Sequence, residues 1–148
     1  MPNDTKSRPV AVIAGVGPGN GQALAQRFSD AGYAVAMLAR DQAKVEAIAA
    51  NIANSQGYSC DVGSKESVAK TFEKIRNEIG EVDTLIYNAG AGVFADIEVI
   101  TAEQFEDAWR VNALGSLLCA KQVIPAMISE GHGNIVFIGA TASRRGGV

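Results

Sequence analysis

Five apolar residues, Val10-Ala11-Val12-Ile13-Ala14, run directly into Gly15-Val16-Gly17-Pro18-Gly19-Asn20-Gly21. A short apolar run that ends in glycines reads as a buried strand. Residues 21–31 then place Leu24, Phe28 and Ala31 on one helical face, with Gly32 positioned to end the helix. Strand, glycine-rich turn and helix in this order bring exposed backbone and a helix amino end to the tip of a strand. Four glycines in seven residues exceed what reversing the chain requires. Glycines let backbone approach a bound phosphate, and the helix start offers free N–H groups and the positive end of its dipole. The turn is therefore expected to hold a nucleotide.

The alternation continues along the chain. Residues 34–39 form the next apolar run, and 42–52 carry Val45, Ile48, Ala49 and Ile52 at helical spacing. A short strand is expected around Tyr58-Ser59-Cys60. Ser64 reads as an N-cap, followed by a stripe of Val68, Phe72, Ile75 and Ile79 that closes at Gly80. Residues 84–87 are the fourth strand. Thr101 and Gln104 match a capping box, opening a long helix to about residue 127 with Phe105, Ala108 and Trp109 expected inward. Pro125 either kinks that helix or marks its last turns. A Gly131-His132-Gly133 turn precedes a fifth strand at 134–138. This pattern predicts an α/β fold, a parallel sheet covered by helices on both faces, with ligands at the carboxyl ends of the strands.

Composition narrows the remaining classes. The chain has 148 residues, 20% of them charged, with a formal net charge of −3. That length suits a single domain, taken as 1–148, burying about two thirds of its unfolded surface. No block of like charge suggests nucleic acid or an anionic membrane as partner. No apolar run reaches the roughly 18 residues that span a bilayer, and residues 1–8 lack a signal-peptide stretch. Cys60 and Cys119 are too few for a disulfide framework, so a reduced cytoplasmic setting is expected. One histidine and two distant cysteines build no zinc site, and no metal is expected.

The tip of the second strand discriminates between dinucleotides. An acidic residue there would bind the adenine ribose hydroxyls, whereas this chain has Ala39-Arg40-Asp41. Arg40 suits a 2′-phosphate, a charge-assisted contact of about 1.5–3 kcal/mol, which favours NADP(H) over NAD(H) by roughly 10- to 100-fold. Asp41 tempers this, turning toward the ribose or pairing with Arg40. Arg40 as a solvated surface residue is the plainer alternative.

The ordered motifs together resemble the short-chain dehydrogenase/reductase family over 10–143. Gly15, Gly19 and Gly21 match its spaced glycines, with Ala14 in place of the usual threonine and Gly17 additional; Gly17 and Asn20 complete the expected loop. Asp61-Val62 matches the adenine contact, Asn88-Ala89-Gly90 the motif lining the cofactor cleft, and Asn112 the helix asparagine of the proton relay. Gly133 to Ile138 matches the fifth strand. The resemblance implies a Rossmann-like doubly wound sheet of strand order 3-2-1-4-5 and hydride transfer between NADP(H) and a small-molecule carbonyl or alcohol. It also implies a homo-oligomer through the long helix at 101–130. Plainer readings stand beside these: Asp61 as a turn cap, Asn88 as a bridge between strand ends, Asn112 as an ordinary polar helix residue.

The family chemistry uses a serine two positions after the fifth strand, and a tyrosine whose pKa a nearby lysine lowers. Ala140 occupies the serine position, with Thr141 or Ser143 as substitute hydroxyls. The Tyr and Lys of the pattern would fall beyond Val148. This chain alone is thus expected to bind cofactor with little or no turnover, leaving the fifth strand as an exposed edge. Ala140 also motivates a second expectation, a non-catalytic dinucleotide-binding or interaction protein of the same fold.

Overall fold

The computed structural model describes residues 8–145. Strands β1 (Val10–Ala14), β2 (Ala34–Ala39), β3 (Ser55–Ser59), β4 (Val82–Tyr87) and β5 (Asn134–Phe137) form one sheet of order β3-β2-β1-β4-β5. All four pairings are parallel. Helices α1 (Asn20–Asp30), α2 (Gln42–Ala49) and α3 (Lys65–Glu78) connect the first four strands. Between β4 and β5 lie α4 (Ala102–Trp109), a wide π turn (Arg110–Leu114) and α5 (Gly115–Glu130), continuous with one another.

Successive strand residues alternate between two cores. Val10, Val12 and Ala14 of β1 join Val68, Phe72 and Ile75 of α3 and Cys119, Ala120 and Val123 of α5 on one face. Ile13 packs with Ala25 of α1 and Val45 and Ala49 of α2 on the other. The helix-covered parallel sheet is the one expected from the alternation, and its strand order is the Rossmann-like one that the resemblance implies. The order reverses between β1 and β4, which opens a crevice where their carboxyl ends diverge.

Local chemistry sets the elements. Thr101 and Gln104 form the reciprocal capping box, and Ser64 Oγ accepts the Ser67 N–H at 3.2 Å. β3 reads Ser-Gln-Gly-Tyr-Ser, a weak strand sequence, and starts earlier than the Tyr58 region suggests. Gly57 explains its tolerance: a Cβ there would press on the Val45 and Glu46 backbone of α2. Helix α2 ends at Ala49, although Ile52 stays buried beyond it.

Three expectations are corrected. In α1 the buried residues are Gly21, Ala25 and Ser29; Leu24 and Phe28 are half-buried flanks and Ala31 is exposed, because small residues permit closer approach to the sheet. Phe105 and Trp109 are 65% and 46% exposed, since among the described residues no element covers that face of α4. Pro125, by contrast, falls in the last turns of α5, which runs to Glu130, one of the two placements expected for it. Finally, Ala102–Glu130 contains an 18-residue window of mean hydropathy 1.4, long and apolar enough to cross a membrane. Its buried residues, Gly115, Cys119, Ala120 and Val123, pack within the protein core.

Candidate functional site

A cleft of about 410 Å³ opens at the carboxyl edge of the sheet. Its walls come from the β1 turn (Gly15 to Pro18), the β2 tip (Leu38 to Asp41), the β3 tip (Cys60 to Val62) and the β4 tip (Asn88 to Ala91). Lys44, Ile48 and Val111 complete it. Of the residues named from sequence, Gly15, Gly17, Arg40, Asp61, Val62, Asn88, Ala89 and Gly90 therefore converge. Gly19, Asn20 and Gly21 sit just behind, at the start of α1.

The glycines divide into two kinds. Gly15 has φ +91°, and a Cβ there would collide with the Ala89 backbone; a Cβ at Gly21 would strike Gly15 and Val16. These two hold the turn tightly against β4 and α1. A Cβ at Gly17 or Gly19 would meet nothing within 4 Å among the described residues. Their bareness leaves room beside the turn that packing does not demand. Asp41, Ser64 and Thr101 cap α2, α3 and α4, whereas among the described residues no side chain caps α1. A helix start without a side-chain cap, beside open space at Gly17 and Gly19, suits a pyrophosphate in its chemistry.

At the β2 tip, Asp41 does not pair with Arg40. Its Oδ1 accepts the Lys44 N–H at 3.1 Å as the α2 cap, and its Oδ2 lies 3.4 Å from Lys44 Nζ. The Lys44 backbone N–H holds the Asp41 carboxyl below its ordinary value. Arg40 and Lys44 both border the cleft, so the sequence reading missed a second cation. Its signal was present: once Asp41 is read as an N-cap, Lys44 falls in the first turn of α2 beside Arg40.

Asp61 Oδ1 accepts the Gly63 N–H at 3.0 Å, a turn-capping role, while the residue still borders the cleft. Asn88 donates from Nδ2 to the Gly15 carbonyl at 2.8 Å, and its N–H to the Ala14 carbonyl at 2.8 Å. It thus ties the β4 tip to the glycine turn. Asn112 lies in the π turn, where Oδ1 accepts the Ala91 N–H at 3.1 Å and Nδ2 donates to the Ala91 carbonyl at 2.6 Å. Such wide turns often mark functional sites, and nothing in the residue pattern announced this one.

Neither Thr141 nor Ser143 borders the cleft. Ala140 precedes a short 3-10 turn, Thr141–Ser143, and Ser143 Oγ donates to the Ala140 carbonyl at 2.7 Å. None of the three tyrosines, Tyr33, Tyr58 and Tyr87, is followed four residues later by lysine. Burial raises the Tyr58 and Tyr87 hydroxyl pKa values, so neither is a base at neutral pH. Among the described residues no cluster of His, Cys, Asp and Glu could hold a metal ion.

The short chain dehydrogenase family model matches residues 9–148. Carbonyl reductase family member 4 of Xenopus tropicalis is 30% identical over 139 residues, 94% of this chain and 59% of its own length. The human 3-oxoacyl-[acyl-carrier-protein] reductase is 30% identical over 138 residues, 93% of this chain and 58% of its own. This chain thus spans somewhat over half the length of these curated relatives. Among solved structures, 3-ketoacyl-(acyl-carrier-protein) reductase from Brucella melitensis complexed with NADH superposes with a TM-score of 0.89 at 29% identity, covering 94% of this chain and 60% of that one. An NAD+-bound xylitol dehydrogenase gives 0.87 at 29% identity, covering 96% and 57%.

Proposed function

Because the chain belongs to the short-chain dehydrogenase/reductase family of oxidoreductases, we propose that it holds NADP(H) in the cleft at the carboxyl edge of its sheet and serves carbonyl/alcohol interconversion. The observation that carries this reading is a cleft bordered by the unencumbered Gly17 and by two cations, Arg40 and Lys44, with the uncapped start of α1 just behind it. Gly17, Gly19, Asn20 and Gly21 would receive the pyrophosphate, Arg40 the 2′-phosphate, and Asp61 and Val62 the adenine. Asn88, Ala89 and Gly90 would form the floor toward the nicotinamide. When bound, the nicotinamide supplies or accepts a hydride at C4.

Arg40 and Lys44 favour the phosphorylated dinucleotide together. Asp41 is occupied by the α2 cap and by Lys44, so its charge is already offset near the 2′ position. Asn112 would serve a proton relay where a tyrosine and lysine complete the chemistry. This chain by itself would bind dinucleotide with little or no turnover, because the Ser143, Tyr58 and Tyr87 hydroxyls lie outside the cleft lining and donate to Ala140, Glu78 and Val111 instead. The substrate would be a small carbonyl or alcohol. The exposed apolar face of α4 and α5 would serve self-association, and two buried free thiols suit a reduced cytoplasmic setting.

Fluorescence titration tests the preference. NADPH is expected to bind about 10- to 100-fold more tightly than NADH, with Arg40→Ala removing most of the difference. Equal affinities in the unaltered chain would contradict the role of Arg40. A second reading, a non-catalytic dinucleotide-binding protein, is favoured by Ala140. Cofactor consumption by the chain with any member of a carbonyl panel would exclude it and also the expectation of little turnover.

A further inference from the structure

Tyr87 ends β4 and is buried, yet no motif assigns it a role. Its hydroxyl donates to the Val111 carbonyl in the π turn. The Gly115 N–H bonds to the Arg110 carbonyl, five residues back, and so bypasses Val111, the acceptor an α-helix would use. The widened turn frees one carbonyl, and Tyr87 satisfies it from below.

Gly115 independently marks the same contact. A Cβ at this position would sit on the Tyr87 hydroxyl and press on the Val62 carbonyl. The residue is buried with a helical backbone, so no positive φ calls for glycine. Glycine here makes room for the phenol tip.

The outer side of the turn faces the cofactor cleft. Asn112 grips both polar groups of the Ala91 backbone, and Ala91 and Val111 border the cleft. Reversion to a regular α-helix would shift the register by one residue, about 100° of rotation, and carry Asn112 off Ala91.

We propose that Tyr87 is a positioning residue: its hydroxyl keeps the π turn wide, and through Asn112 it fixes the Ala91 wall of the dinucleotide cleft. The cleft part of this inference rests on the function proposed above; the structural part does not.

Tyr87→Phe removes the hydroxyl while keeping the ring that packs near Phe137, at 6.4 Å between centroids. Amide hydrogen exchange at Ala91 in the cofactor-free chain is expected to speed up by about tenfold, and NADPH affinity to fall by about 3- to 10-fold. Gly115→Ala is expected to do the same by displacing the phenol. Adding Tyr87→Phe to Gly115→Ala should cause little further loss, because both act on one contact. Unchanged Ala91 exchange in Tyr87→Phe, with only a lower unfolding midpoint, would overturn the proposal. If that variant is too unstable to measure, unchanged Ala91 exchange in Gly115→Ala overturns it equally. Should the unaltered chain fail to bind NADPH while Ala91 exchange responds as stated, the cofactor reading falls and the Tyr87 contact to the turn stands.

Discussion

At the scale of single residues, glycines that look alike in sequence do different work. Gly15 is held at φ +91° against the Ala89 backbone, whereas Gly17 borders the cleft with open space at its Cβ position. Gly15→Ala should cost about 2–4 kcal/mol in denaturant unfolding, from backbone strain and a collision that cannot relax easily. Gly17→Ala should leave stability within about 0.5 kcal/mol yet weaken dinucleotide binding measurably. A Gly17→Ala chain that binds as well as the unaltered one would remove this glycine from the pyrophosphate site. The sequence displayed the glycine spacing but not this division, which depends on Ala89 arriving from a distant strand. Arg40 was legible because it stands at a strand tip. Lys44 became visible only once Asp41 proved to be a helix cap rather than a partner of Arg40.

At the scale of elements, helix ends were the most legible features and helix faces the least. Ser64 and the Thr101–Gln104 box cap their helices as their spacing indicates. The apolar stripe of α4 was equally regular, yet Phe105 and Trp109 face solvent. Periodicity reports that a face is apolar and says nothing of what lies over it. The π turn left no mark in the residue pattern because the contacts at it are tertiary: the Tyr87 phenol from β4 reaches the Val111 carbonyl in the space that Gly115 leaves open. The exposed Phe105, Trp109, Leu117, Ile124 and Ile128 make self-association through α4 and α5 the expected state. Size-exclusion chromatography with light scattering should find oligomers at micromolar concentration, and Trp109→Glu with Leu117→Glu should shift them toward monomer. A clean monomer in the unaltered chain would contradict this.

At the scale of the whole molecule, the layered parallel sheet was legible in the alternation, whereas the strand order was expected from the family resemblance. β2 and then β3 are laid down outward from β1, after which the chain returns to place β4 on its other side. That reversal opens the crevice, and the same strand tips carry Gly15, Arg40, Asp61 and Asn88 into it. Fold and site were thus legible together, since one topology creates both. The catalytic half of the account was legible only through the family resemblance, which aligns Ala140 with the expected serine. The central claim, that this cleft holds a nicotinamide dinucleotide, is tested most directly by NADPH titration followed in amide NMR spectra of the chain. The account expects saturable shifts concentrated at residues 15–22, 38–44, 60–63 and 88–91. Shifts absent at saturating NADPH, or centred elsewhere on the protein, would contradict it.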